Sequence, residues 1–357
     1  MVGRRDWIAC AALGLVALPT TARARVPGLP SLDLGGLPTR VTAHPELAAR
    51  LGFASLHVKR DDEAGDVFGG SKARKLERVL ADARDRGHRA VLTFGGAGSN
   101  HALATAIHAG RLGMSAHLVL LPEPPSPHVR EHLLAAAHAG AHLHAGTRAH
   151  RDDPALAVAD FAAADAPYVI PPGGTCPLGT VGYVDAGFEL ARQVQQGILP
   201  PPDVVYVAAG TTGTASGLWI GLRAAGLTCR VVAVRASGRA TATRARVEAE
   251  VAATHAVLRA ADPRSPPTPL DAGFVLEHGF AGAGYARPTE RGRTAAALVG
   301  EALELDGTYT EKAFAALVAN DPGEAVLFWH TFDPRRPPIG RATPADLPRG
   351  LRAYARE

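Results

Sequence analysis

The 357-residue chain is predicted to be an α/β protein of two domains, built on open, twisted, mostly parallel sheets with helices on both faces. Three observations predict this. From about residue 54, short apolar runs alternate with helical stretches of about a dozen residues, the rhythm of parallel βαβ units. Two of those runs lead straight into glycine-rich turns, and sheets of this kind hold ligands at the carboxyl ends of their strands. The length accommodates one large or two medium cores, and 46% hydrophobic with 20% charged residues excludes a disordered chain.

Taken in order, Ala54–Lys59 alternates apolar and polar residues and is the first expected strand. Gly69-Gly70 then breaks the chain before a helix expected over Ser71–Arg86, with Ser71 a natural N-cap. Ala90–Phe94 reads as a strand buried on both faces, and after its glycine-rich turn a helix is expected from Asn100 to Leu112. The pattern repeats with a strand at Ala116–Leu121, a helix over Pro127–Ala139 and a strand at Ala141–His144. Further on, Val204–Ala208 enters a second glycine-rich turn, and Val231–Val234 and Val326–Trp329 are further strands. Ala261–Pro288, rich in Pro, Gly and Ala, is expected to be a long irregular connection of the kind that often carries function. The Pro- and Arg-rich stretch Asp333–Glu357 is expected to lie loosely on the surface, and no repeat of fixed period is present.

Composition narrows the chemistry. A net charge of +4 is small for this length and gives no support to nucleic-acid binding. Among 38 basic residues only Lys59, Lys72, Lys75 and Lys312 are lysines, so a reaction that needs an amine has few candidates. Residues 1–24 read as an export signal: Arg4 and Arg5 precede the apolar stretch Trp7–Leu18, and Ala22-Arg23-Ala24 offers a small-x-small cleavage site. The paired arginines suit a twin-arginine address, and the apolar stretch is too short to span a bilayer comfortably. The mature protein is therefore expected to be periplasmic or exported with no membrane anchor, and cytoplasmic if the signal is not used. Cleavage would also remove Cys10, leaving Cys176 and Cys229, which make neither a disulfide framework nor a zinc spacing.

Three turns carry candidate chemistry. In Gly69-Gly70-Ser71-Lys72 the lysine falls in the first turn of a helix, where the helix dipole opposes a cation and favours the neutral amine needed to bond to a carbonyl. Lys75 better suits a solvated helix face. In Gly95-Gly96-Ala97-Gly98-Ser99-Asn100-His101 the glycines permit close backbone approach, while Ser99 and Asn100 also suit simple capping. Gly210-Thr211-Thr212-Gly213-Thr214, directly after an apolar strand, has the small and hydroxyl residues of an anion cradle, without the lysine of a Walker loop. A reactive lysine and a phosphate cradle on an α/β sheet point to pyridoxal phosphate. A cluster of histidines, with His128 and His132 four apart on a helix, has metal-compatible spacing but no acidic partner, and no metal is expected.

With these residues in view, the chain resembles the fold-type II pyridoxal-phosphate enzymes, and within them the D-cysteine desulfhydrases and 1-aminocyclopropane-1-carboxylate deaminases. The resemblance is carried by Leu37-Pro38-Thr39, Lys59-Arg60-Asp61-Asp62, Gly70 to Glu77, Ser99-Asn100-His101, Pro172 to Tyr183, the threonine–glycine turn, Gly284-Tyr285 and His330-Thr331. It implies a tryptophan-synthase-β-like fold, with a larger cofactor domain in residues 25–80 and 186–332, a smaller domain in 81–185 and a tail in 333–357. It also implies that Lys72 bonds to the cofactor, that Asn100 meets its phenolic oxygen, and that Gly210, Thr211, Thr212, Gly213 and Thr214 hold its phosphate. Thr331 falls near the pyridine nitrogen, and Ser99, Asn100, His101 and Tyr285 fall at the substrate.

The sequence departs from the family at several of these places. Gly98 stands where a glutamine usually precedes the Ser-Asn pair, Ala286 where the deaminases carry a glutamate, and His101 where they carry a glutamine. Phe332-Asp333 replaces the usual glycines, and Cys176 replaces a residue that is more often polar. The expected function is a pyridoxal-phosphate-dependent lyase on a small amino acid, a D-cysteine desulfhydrase-like α,β-elimination in a homodimer, with Lys72, Tyr285 and Ser99 catalytic. The alternatives are cyclopropane-amino-acid deamination, which Ala286 disfavours, and a non-catalytic exported amino-acid binder.

Overall fold

The computed structural model describes residues 24–355; the expected export signal lies outside them but for Ala24. In chain order they form β1 (Val41–Ala43), α1 (Pro45–Leu51), β2 (Ser55–Arg60), α2 (Ser71–Asp85), β3 (Ala90–Gly96), α3 (Asn100–Arg111), β4 (Ser115–Leu121), α4 (Pro127–His138) and β5 (His142–Ala145). Next come α5 (Arg148–Asp152), α6 (Pro154–Phe161), β6 (Tyr168–Ile170), α7 (Pro177–Gln195), β7 (Val204–Ala209), α8 (Gly213–Ala224), β8 (Arg230–Arg235) and α9 (Arg244–Ala261). β9 (Phe274–Glu277), α10 (Glu290–Val299), α11 (Thr310–Ala319) and β10 (Ala325–His330) complete the order. The mostly parallel α/β architecture is as predicted.

Two compact units emerge. The larger comprises residues 24–29, Gly36–Ala64 and Cys176–Pro334. Its sheet runs β1-β2-β10-β7-β8-β9, parallel throughout except for the antiparallel edge strand β1. Alternate residues of its central strands feed two cores, because side chains along a strand point to opposite faces. Val205, Val207, Val231, Ala233, Leu327 and Trp329 pack on one face in a cluster that includes residues of α7, α8 and α9. Val204, Tyr206, Val232, Val234, Val326 and Phe328 pack on the other in a cluster that includes residues of α1, α10 and α11. The smaller unit comprises Pro30–Gly35, Gly65–Thr175 and residues 335–355. Its four parallel strands run β5-β4-β3-β6.

Three expectations need correction. The division falls earlier than expected: residues 65–80, with the start of α2, belong to the smaller unit and not to the larger. The connection Ala261–Pro288 is not irregular throughout, because β9 adds to the sheet edge beside β8 with Phe274 buried against Trp219. The C-terminal stretch is not loose. Leu347, Leu351 and Ala355 are buried four residues apart, Arg335 donates to Gly65 O at 2.6 Å, and Arg130 donates to Ala355 O at 3.2 Å, all within the smaller unit.

A buried lysine anchors the larger sheet. Lys59 in β2 is 0% exposed, and its ammonium donates to Thr39 O (2.6 Å), Gln193 Oε1 (2.8 Å) and the Glu189 carboxylate. Glu189 and Gln193 are one turn apart on α7, which is why both reach one ammonium. Two residues on, the Asp61 carboxylate accepts from Thr39 Oγ1 (2.9 Å), Tyr183 OH (3.0 Å) and Trp329 Nε1 (2.7 Å). Removing one partner of a buried pair leaves an uncompensated charge. Glu189→Ala is therefore expected to lower unfolding stability by about 3–5 kcal/mol in urea or thermal melts, with Lys59→Met/Glu189→Leu recovering most of that loss.

Candidate active site

In the smaller unit, Gly70 (φ 52°, ψ −136°) makes the sharp entry into α2 in a backbone region that only glycine occupies comfortably. Lys72 follows in the first helical turn, half-buried, and donates to Ser71 Oγ at 2.8 Å. One turn later Lys75 is buried, not solvated as expected, with its ammonium 3.0 Å from Thr175 Oγ1 and 3.3 Å from Gly173 O. The glycine-rich turn after β3 opens α3 in the same unit. Ser99 caps α3, its Oγ accepting from Ala102 N at 3.2 Å. Asn100 follows, with its carboxamide 2.8 Å from His132 Nε2.

His101 follows in α3. It is 3% exposed, and its Nε2 lies 2.9 Å from Thr93 Oγ1, whose own proton goes to Ile170 O. His101 therefore donates through Nε2, and its Nδ1 finds no hydrogen-bond partner among the described residues. Burial and the positive charges of Lys72 and Lys75 hold its pKa well below the usual imidazole range, so the ring is a neutral group under the turn. The run of buried residues from His101 to Ala106 shows that the start of α3 lies inside the unit, a setting that the motif spacing does not report.

In the larger unit, β7 runs into Gly210 and Thr211, and the twelve-residue helix α8 begins at Gly213. Thr212 sits at its N-cap with φ 68°, a left-handed conformation that costs a non-glycine residue about 1–2 kcal/mol. Its side chain makes no capping bond. The first-turn N–H groups of α8 have no intrahelical acceptor, and the helix dipole adds positive potential, so this end is built for an anion. Gly210 lies flat against Tyr309: a Cβ there would stand 3.0 Å from the ring. Ser237 Oγ donates to Gly210 O at 2.7 Å from behind the turn.

Tyr285 packs edge-on against Tyr309, ring centroids 5.9 Å apart. Its loop is pinned by Lys312, whose buried ammonium donates to Gly284 O at 2.7 Å and whose pKa is lowered by burial. Arg235, at the end of β8, is also buried, and its guanidinium donates to His278 Nδ1 (3.0 Å) and to the Ser237 and His278 carbonyls, all neutral acceptors. Thr331 follows β10 directly after His330, and the strand is fixed there by the Trp329–Asp61 bond. No motif signals Tyr309, Arg235 or the task of Lys312, since each meets its loop from an element distant in the chain.

The family described as pyridoxal-phosphate dependent enzymes matches residues 32–331. The chain belongs to this family. It is 38% identical over 313 residues to the nocardicin C-9′ epimerase of Nocardia uniformis subsp. tsuyamanensis, covering 85% of this chain and 92% of that one. It is 32% identical over 329 residues to a D-cysteine desulfhydrase of Klebsiella pneumoniae, covering 85% and 93%. Among solved structures it matches an ACC deaminase homologue at TM-score 0.74 and 28% identity, covering 92% and 95%.

As a pyridoxal-phosphate dependent enzyme the chain must accommodate an aldehyde and a phosphate, and its residues fit both. The α8 turn offers uncapped N–H groups on a strained Thr212, a wall without a side chain at Gly210, and a buried guanidinium nearby that pairs with neutral groups. Lys72 offers an amine. Neither Cys176 nor Cys229 is in a disulfide; Cys229 is buried, which pushes its thiol up to about 11, and Cys176 caps α7 by accepting from Gly179 N. No His/Cys/Asp/Glu group that could hold a metal is present among the described residues. Gly210→Val is expected to displace the Tyr309 ring and weaken pyridoxal phosphate binding about tenfold or more in a fluorescence titration, while the melting temperature without cofactor changes little.

Proposed function

We propose that this enzyme carries out α,β-elimination on a small amino acid with a leaving group at the β-carbon, D-cysteine above all, giving a 2-oxo acid, ammonia and sulfide. The observation that carries this reading is Lys72. Lys59, Lys75 and Lys312 are buried and bonded to carbonyl, hydroxyl, amide or carboxylate oxygens, whereas Lys72 stands half-buried at a helix start in the unit that also carries Ser99 and Asn100. The 32% identity to a D-cysteine desulfhydrase supports the substrate class.

Pyridoxal phosphate, when bound, supplies an aldehyde for an amine and a ring that takes up the electron pair released at the α-carbon. The chain's residues do the rest. The N–H groups at the start of α8 and the hydroxyls of Thr211, Thr212 and Thr214 bind the phosphate, with Gly210 and Gly213 lining the turn. The Asn100 carboxamide meets the phenolic oxygen, and the Thr331 hydroxyl serves the ring nitrogen. Lys72 in its neutral form removes the α-proton. Ser99 Oγ accepts the Ala102 N–H, which leaves its own proton to donate, so it and the Tyr285 phenol are the groups that can protonate a leaving thiolate or orient the substrate carboxylate. Water then hydrolyses the released enamine to the 2-oxo acid and ammonia.

A second reading, epimerisation at an amino-acid centre, is supported by the 38% identity to an epimerase and shares the proton removal. It differs in returning the proton to the opposite face without expelling a group. Cyclopropane-amino-acid deamination draws support from the ACC deaminase homologue and is opposed by Ala286 and by the burial of His101. Export rests on the sequence of residues 1–24 and a homodimer on the resemblance; no helix among the described residues is long and apolar enough to cross a membrane.

Purified protein should release sulfide and 2-oxo acid from D-cysteine in a panel with L-cysteine, β-chloroalanine, serine and the cyclopropane substrate. Lys72→Ala should lower turnover by about 10³-fold and abolish the visible cofactor band. Retention of both by Lys72→Ala overturns the reading; inversion of configuration without 2-oxo acid moves it to epimerisation.

A further inference from the structure

The two histidines set four apart on α4 face the turn that opens α3. His128 Nε2 lies 2.9 Å from Gly98 O, and because a carbonyl only accepts, His128 donates through Nε2. Beside it stands the half-buried side chain of Glu123, whose pKa burial holds above the usual carboxylate range. The carbonyl of Gly98 is thus held by His128 while Glu123 crowds its Cα. A Cβ there would stand 2.8 Å from Glu123 Oε1 and 3.0 Å from the His128 ring and the Val129 side chain. A glutamine at this position, as usually precedes the Ser-Asn pair, would have to push the Glu123 carboxyl aside and crowd His128 and Val129.

One turn further along α4, His132 reaches Asn100. Its Nε2 is 2.8 Å from the atom placed as Asn100 Oδ1 and its Nδ1 is 3.0 Å from His128 O. The ring is 8% exposed, with its centroid 3.8 Å from that of His128 and 5.9 Å from that of Phe68, which it meets edge-on. The His128 carbonyl can only accept, so the His132 proton belongs on Nδ1. Burial, reinforced by His128, brings the His132 pKa down to about 3, so Nε2 carries no second proton near neutrality. A bare nitrogen accepts, and the carboxamide must therefore turn its NH₂ toward it. The amide is nearly symmetric in shape and allows this by rotation about its Cβ–Cγ bond.

We infer that His132, with its proton on Nδ1, is a positioning residue that locks the Asn100 carboxamide nitrogen-inward, and that His128 holds the backbone of the same turn through Gly98 O. Asn100 then spends one N–H on His132 and offers the other, with its oxygen, to a ligand. This rests on the reading of Asn100 as a cofactor contact. The spacing that suggests a metal pair serves instead to put two ring nitrogens on successive polar groups of one turn.

The test uses the full chain loaded with pyridoxal phosphate. His132→Phe keeps the ring volume beside Phe68 and removes both nitrogens; His132→Gln keeps an amide able to reach Asn100. His132→Phe should bind the cofactor about tenfold more weakly and reduce its visible circular dichroism, and His132→Gln should restore most of both. ¹⁵N NMR of the unmutated protein should find the His132 proton on Nδ1. Wild-type affinity and dichroism in His132→Phe, equal impairment of both variants, or a proton on Nε2 overturns the inference. If the unmutated protein binds no pyridoxal phosphate, the proposed function fails while the NMR result still decides the state of His132.

Discussion

An ammonium taken out of water has to be surrounded by acceptors, and the larger unit is organised round one at Lys59. A carbonyl, a carboxylate and an amide oxygen take its three protons, drawn from the segment at residue 39 and from one face of α7. Desolvation makes such a pair weak evidence of stability but strong evidence of register, since any slip of β2 against α7 would strand a charge. The neighbouring Asp61 extends the constraint to Tyr183 and to Trp329 on β10. Through that bond the central strand, and with it the position of Thr331, depends on the same buried network.

The two glycine-rich turns look alike in sequence and are built for different ends. At the start of α3, Ser99 satisfies a first-turn N–H with its own side chain, so that helix end is closed and its residues serve as side-chain donors and acceptors. At the start of α8, Thr212 holds a left-handed backbone and does not cap, so the first-turn N–H groups are left without a side-chain acceptor. The strain at Thr212 is a local cost that suits the proposed phosphate site.

The parallel architecture was legible because buried strands write it as apolar runs: Ala90–Phe94 and Val204–Ala208 each lie within the observed strand. Helix α7 was less legible. Gly179, Gly182 and Gly187 lower its intrinsic propensity, yet Gly187 lies where α8 passes so closely that a Cβ would meet the Gly221 and Leu222 backbone at 2.7 Å. Tertiary packing, invisible to periodicity, explains that helix. At the candidate site, motif spacing singled out residues that the structure carries on turns, Lys72, Ser99 and Gly210–Thr214. It missed Glu123, Tyr309, Arg235 and the second role of the α4 histidines, because each meets its turn from an element whose own sequence reports only burial. The misplacement of Lys75 has the same origin: the helix face that looks solvated in isolation is covered in the fold.

The scarcity of lysine acquires a chemical meaning once all four have been located. Three of them are inside the protein with their protons committed, and the remaining basic side chains outside it are guanidinium groups, which stay protonated and do not condense with aldehydes under ordinary conditions. The fourth, Lys72, is half-buried with its amine on Ser71 Oγ, and it is the lysine the proposed chemistry uses. A surface whose positive charge is carried by guanidinium groups offers little on which stray carbonyl adducts of the kind that load lysine-rich proteins can form.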